Sequence, residues 1–315
     1  MTEPAPPVPA LAAPRDRPGS LPADVRAAST AVLRNRWLVV YAILYVAVAL
    51  GLAAITGDVA GWINYHLLLV GGGCSLLAFL AFRGTRDPAA VAAAAPARVA
   101  IRRPAAESLI VIVLVLAFVL VRTDQLLHGP FTTALFSLSS ASWWDDWSLI
   151  GVKLLLNVAL PIGIFLALGY RPREIGLRWG AGWRLWPLFL VAGVPKLLPA
   201  LTGSAGPGAG VVHLGSGLVY YFLAAGWPEE MVHRALLLPR LEAWWGSANA
   251  AIFAQAGLFA LTHIPIRLMG THDLLFIFGN LFLFVTGLGL LFGYVYRRTG
   301  AVFPVAWLHA LIDAS

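Results

Sequence analysis

The feature that most limits what this chain can fold into is a recurrence of apolar runs. Each is close to the ~20 residues a helix needs to cross a ~30 Å hydrocarbon layer. They fall at roughly 37–56, 62–82, 105–122, 148–169, 184–200, 213–239, 247–263, 274–296 and 301–315. Charged residues make up 12% of the chain, about half the ~25% usual in soluble domains. A water-soluble globule could not hide that much apolar surface, so lipid is the solvent that fits. The expected fold is all-α: a polytopic transmembrane bundle of about nine helices, multi-pass in the cell membrane and solvated by its lipids.

Charge placement orients the bundle. The net charge of +7 could suggest nucleic acid, but the arginines flank apolar runs, which is a topology signal and excludes a nucleic-acid partner. One side receives Arg26, Arg34 and Arg36, then Arg83, Arg86, Arg98, Arg102 and Arg103. The same side receives Arg171, Arg173, Arg178 and Arg184, then Arg240, Arg297 and Arg298. The other receives Asp58, Asp124, Asp145, Asp146 and Asp273. The positive-inside rule then puts the N-terminus in the cytosol. Residues 1–30, rich in Pro, Ala and Arg, read as a disordered cytosolic tail, 31–169 as N-terminal spans, and 170–315 as the polar core. Trp143, Trp144, Trp147, Trp183 and Trp186 suit interfacial belts. The single cysteine, Cys74, excludes a disulfide framework, and the Arg-over-Lys, Ala-rich usage suggests a bacterial source.

Ionisable groups inside a membrane are costly, so each calls for a reason. Lys153 and Lys196 read as residues near helix ends whose ammonium groups snorkel to water, and His66 as a packing residue. The sixth run is different, with Glu229, Glu230, His233 and Arg234 in apolar surroundings. Glu230 and Arg234 stand four apart and can pair on one helix face. Glu229 points about 100° away, toward His233. The seventh run carries Phe259 and His263, and the ninth carries His309 and Asp313, each pair at the spacing of one helix face. Two histidines, two glutamates, an aspartate and an arginine on neighbouring spans suggest a shared polar cavity.

Glu229-Glu230-x-x-x-Arg234, Phe259-x-x-x-His263 and His309-x-x-x-Asp313 resemble, in order and spacing, the three motifs of the CAAX-protease and bacteriocin-processing (Abi) family. Arg173 to Arg178 and Arg297 to Gly300 are similar to segments that flank those motifs. The resemblance spans about 170–315 and implies an intramembrane endopeptidase acting on a membrane-associated protein or peptide. In it Glu229 and His263 activate water, His309 and Asp313 steady the oxyanion or orient the substrate carbonyl, and Glu230 with Arg234 holds the geometry. Two positions depart from the pattern. Asp313 stands where Asn is frequent, and His233 stands where an aromatic is common.

Two schemes use these residues. In one, Glu229 is the general base toward water. In the other, a divalent, zinc-like ion is held by His263, His309 and a carboxylate, Glu229 or Asp313. The absence of a His-Glu-x-x-His motif weakens a conventional zinc reading. The rival of another class is a non-catalytic membrane scaffold or transporter-like binding protein. A polar cluster confined to one end of the chain argues against a transporter built from matching halves.

Overall fold

In the computed structural model, residues 20–85, 101–126, 147–177, 185–202 and 207–314 are described, and the described residues contain helices and no strand. The chain is an all-helical, multi-pass membrane bundle. An amphipathic helix α1 (Leu21–Arg34) leads into α2 (Arg36–Thr56), α3 (Val59–Gly84) and α4 (Pro104–Leu126). Then come α5 (147–167), α6 (Trp186–Thr202), α7 (207–245), α8 (Ala248–Gly270), α9 (Leu274–Thr299) and α10 (Val302–Asp313). Each expected run lies on one of α2–α10. By length and composition, α2, α3, α4, α8 and α9 can cross a membrane as continuous helices.

Two expectations change here. Helix begins at Leu21, so 21–30 are not a disordered tail: Asp24 is buried and pairs with Arg83 on α3. The helix carrying His263 does not end there but restarts at Ile264 and runs to Gly270, so His263 lies within a span. Residues 1–19 and the tryptophan belt at Trp143, Trp144, Trp147, Trp183 and Trp186 fall where backbone or side chains are not described.

Local chemistry sets where helices start. Asn35 accepts from the backbone of Trp37 and Leu38, and Asp273 from Leu275 and Phe276, satisfying the amides that open α2 and α9. Side chains then tie together the ends that alternating spans must bring to one face of the bundle. Arg297 pairs with Glu242 at 2.8 Å, and Arg298 donates to Thr85 Oγ1 at 2.8 Å. Arg240 is expected among the charges that connect the spans. It is instead fully buried, with Nε 3.0 Å from Glu107 Oε2 and Nη1 donating to the Leu236 carbonyl. Tyr170 donates its hydroxyl to the same Glu107. An arginine at the edge of a span can turn inward once a carboxylate on a neighbouring helix start is there to meet it.

The core lies among α7–α10. Leu236, Leu237, Phe292, Val295, Val305 and Leu308 are buried there, whereas α2–α4 expose Ile43, Leu68, Val113 and Leu120. α8 packs on α9, and α10 packs on the first half of α7. α4 and α5 close the other side of α7.

Candidate active site

α7 is not a regular helix around its motif. It widens into π turns at Phe222–Gly226 and Met231–Leu237, flanking a short α segment Trp227–Glu230. Pro228 sits in that segment and has no N–H to give, so local regularity is lost where the two carboxylates are presented. One turn earlier, Gly226 is required by space. A Cβ there would lie 2.3 Å from the carbonyl oxygen of Ala306 on α10. A bare backbone lets α10 come close enough for its His309 to reach α7.

Consecutive carboxylates then serve opposite sides of the helix. Glu230 is fully buried and faces α9 and α10. Its Oε1 lies 3.1 Å from Arg234 Nη1 and 2.8 Å from His309 Nδ1. Arg234 is itself enclosed, with its guanidinium 4.2 Å from the Phe259 ring centroid and Nη2 donating to the Gly289 carbonyl. His309 stacks on Phe292 and places Nε2 3.3 Å from Asp313 Oδ2.

Glu229 faces the other way. Its Oε1 is 3.4 Å from the ammonium of Lys153 on α5, and its Oε2 is 3.9 Å from His263 Nε2 on α8. Oε2 has no hydrogen-bond partner among the described residues. His263 owes its aim to the break in α8. Its N–H bonds to the Ala260 carbonyl, one residue short of the α register. The Phe259 carbonyl is left for the His263 ring, with Nδ1 at 2.9 Å, and for the Thr262 hydroxyl at 2.7 Å. A carbonyl accepts only, so Nδ1 carries the proton and Nε2 offers a lone pair toward Glu229. The 3.9 Å gap is too long for a direct hydrogen bond but within reach of a water shared by both groups.

Beside Glu229 lies a cavity of about 10 Å³ lined by Asn157, His233 and Thr262 among polar groups and by Val115, Phe118 and Val232. That is room for about one water. His233 Nδ1, also without a hydrogen-bond partner among the described residues, belongs to this wall. The expected Glu229–His233 pairing is not made: Oε1 of Glu229 is met by Lys153, and its Oε2 is turned toward His263 on α8.

The site therefore gathers as two linked pairs rather than one ring. Phe259 joins them: its ring touches His263 at 4.7 Å and His309 at 5.9 Å between centroids. Asp313 sits at the rim, 30% exposed. The snorkelling assigned to Lys153 does not occur, since its side chain is buried and Nζ donates to the Ala224 carbonyl at 2.6 Å. The signal that could have found it is the spacing of Lys153 and Asn157, four apart on one face of an apolar helix.

A divalent ion does not suit this donor arrangement. His309 Nδ1 meets Glu230 Oε1 at 2.8 Å and its Nε2 lies 3.3 Å from Asp313 Oδ2, so His309 faces these two carboxylates rather than the Glu229–His263 pair. His263 Nε2 and Glu229 Oε2 remain as two donors. Among the described residues no group of three or more His, Cys, Asp or Glu side chains is placed to hold a metal ion.

These features define an all-helical membrane protein with a buried carboxylate–histidine site. Residues 212–315 match the family described as type II CAAX prenyl endopeptidase, Rce1-like, and that stretch carries all three motifs. Neither a curated protein nor a solved structure matches the chain.

Proposed function

We propose that this chain is an intramembrane endopeptidase that hydrolyses a peptide bond in a membrane-associated protein or peptide. The observation that carries the reading is the Glu229–His263 pair: a largely buried carboxylate oxygen without a hydrogen-bond partner faces an imidazole lone pair across 3.9 Å. A water between them donates one O–H to each and turns its own lone pair outward. Attack on the carbonyl carbon forms the C–O bond while Glu229 takes the proton, a step general bases typically accelerate by about 10²–10⁴-fold. When the C–N bond breaks, Glu229 returns that proton to the leaving amine. His309, held at Nδ1 by Glu230, offers Nε2–H to the developing oxyanion. Its 3.3 Å contact to half-buried Asp313 is loose enough to yield to a carbonyl. Glu230 and Arg234 hold this donor in place.

The matched family's description supports a prenylated CAAX C-terminus as the first substrate to assay, with unprenylated membrane peptides second. Purified protein is incubated with each peptide, with and without chelator, against a Glu229→Ala control. Cleavage is expected to survive chelation and to vanish in the control. Cleavage by Glu229→Ala at the parent rate, or none by the parent on either substrate, overturns the proposal.

A further inference from the structure

We infer that Lys153, on a span outside the segment matched by the family, is a positioning residue for Glu229 and a working part of the hydrolytic site. This rests on the proposed endopeptidase reading. Three observations carry it. The first is local: Pro228 has no N–H for the Ala224 carbonyl, four residues before it, and Lys153 Nζ supplies a donor at 2.6 Å. The second is the charge contact, since the same ammonium lies 3.4 Å from Glu229 Oε1. The third is burial. Both side chains are largely enclosed, at 6% and 14% exposed, where water does not screen the pair.

One cation thus fixes the irregular turn that presents the carboxylate and one of that carboxylate's two oxygens. The remaining oxygen, Oε2, is left facing His263 and the shared water. Without Lys153 the carboxylate can rotate about its terminal bond, and the base no longer points at the nucleophile. Arg122 on α4 and Arg234 on α7 are also within electrostatic reach of Glu229, and Arg234 is engaged with Glu230 at 3.1 Å.

The test uses the full-length protein. Lys153→Met is expected to lower kcat by ~10-fold or more with KM within about twofold, because orientation of a catalytic group changes and substrate contacts do not. Lys153→Arg, which can still donate to both oxygens, is expected to recover part of that loss. A KM rise at unchanged kcat overturns the inference, as does no recovery by Arg in a folded protein.

A second readout does not depend on cleavage, so it stands even if the endopeptidase reading fails. Lys153→Met is made with Glu229 intact and again with Glu229→Gln. The drop in Tm is expected to be several degrees in the first background and much smaller in the second, since a neutral amide needs no buried counter-charge. Equal drops would show that Lys153 and Glu229 are not coupled.

Discussion

The two faces of α7 meet the same problem, a carboxylate buried in an apolar bundle, with different solutions. On the face toward α9 and α10, Glu230 is fully enclosed and its charge is met by Arg234 and His309. Toward α4, α5 and α8, Glu229 has one oxygen 3.4 Å from Lys153. Among the described residues each of the two carboxylates keeps a buried Oε2 without a hydrogen-bond partner, but Glu229 lies against a water-sized cavity and turns its Oε2 toward His263 at 3.9 Å. A group whose charge is closed off holds structure together. A group that adjoins a water-sized cavity and an imidazole can share a water and take its proton. The difference assigns stability to one face and chemistry to the other.

The largest break in that comparison comes from Arg234→Ala. It leaves Glu230 buried without its arginine, and a cost of about 3–5 kcal/mol is expected. The measurement is the fraction of folded, monodisperse protein recovered from membranes. Near-normal recovery would mean that the closed face is not what secures the fold. Gly226→Ala is milder. Its Cβ must push back the Ala306 carbonyl 2.3 Å away, so α10 shifts outward at a cost of about 1–3 kcal/mol. A lowered Tm with activity reduced in parallel would link the approach of His309 to both properties. The smallest stability effect is expected for His263→Gln, under about 1 kcal/mol, because this half-buried side chain makes its one strong bond to a local carbonyl. Its activity should nevertheless fall by ~10²-fold or more. A His263→Gln protein that cleaves normally would remove α8 from the open face.

How much of this was legible depends on whether a contact lies within one helix or between two. The apolar runs, the Glu230–Arg234 pair and the His309–Asp313 pair follow from spacing alone, because i and i+4 share a face. The His309–Glu230 bond does not, since it depends on Gly226 letting α10 approach. The inward turn of Lys153 is hidden for a related reason. Position along its own run suggests an exit to water, and only the fold sets it opposite the carbonyl that Pro228 leaves open. The apolar run ends at His263, and Pro265 and Arg267 follow it in sequence. Pro is tolerated in the first turn of a restarting helix, so the span continues. The burial of Arg240 is not legible from its position between two runs, because its acceptor, Glu107, is more than a hundred residues away in sequence.

The central claim is that adjacent carboxylates on one helix have separate tasks, and paired amide substitutions test it most directly. Glu229→Gln and Glu230→Gln are purified side by side, and each is measured for Tm and for peptide cleavage per folded molecule. Glu229→Gln is expected to lose cleavage to background and to lower Tm less than Glu230→Gln does, because its amide oxygen still accepts from Lys153, whose ammonium also donates to the Ala224 carbonyl. Glu230→Gln is expected to lower Tm and yield, leaving its folded fraction with residual cleavage. The opposite pattern, an active Glu229→Gln beside a stable but inactive Glu230→Gln, would contradict the account.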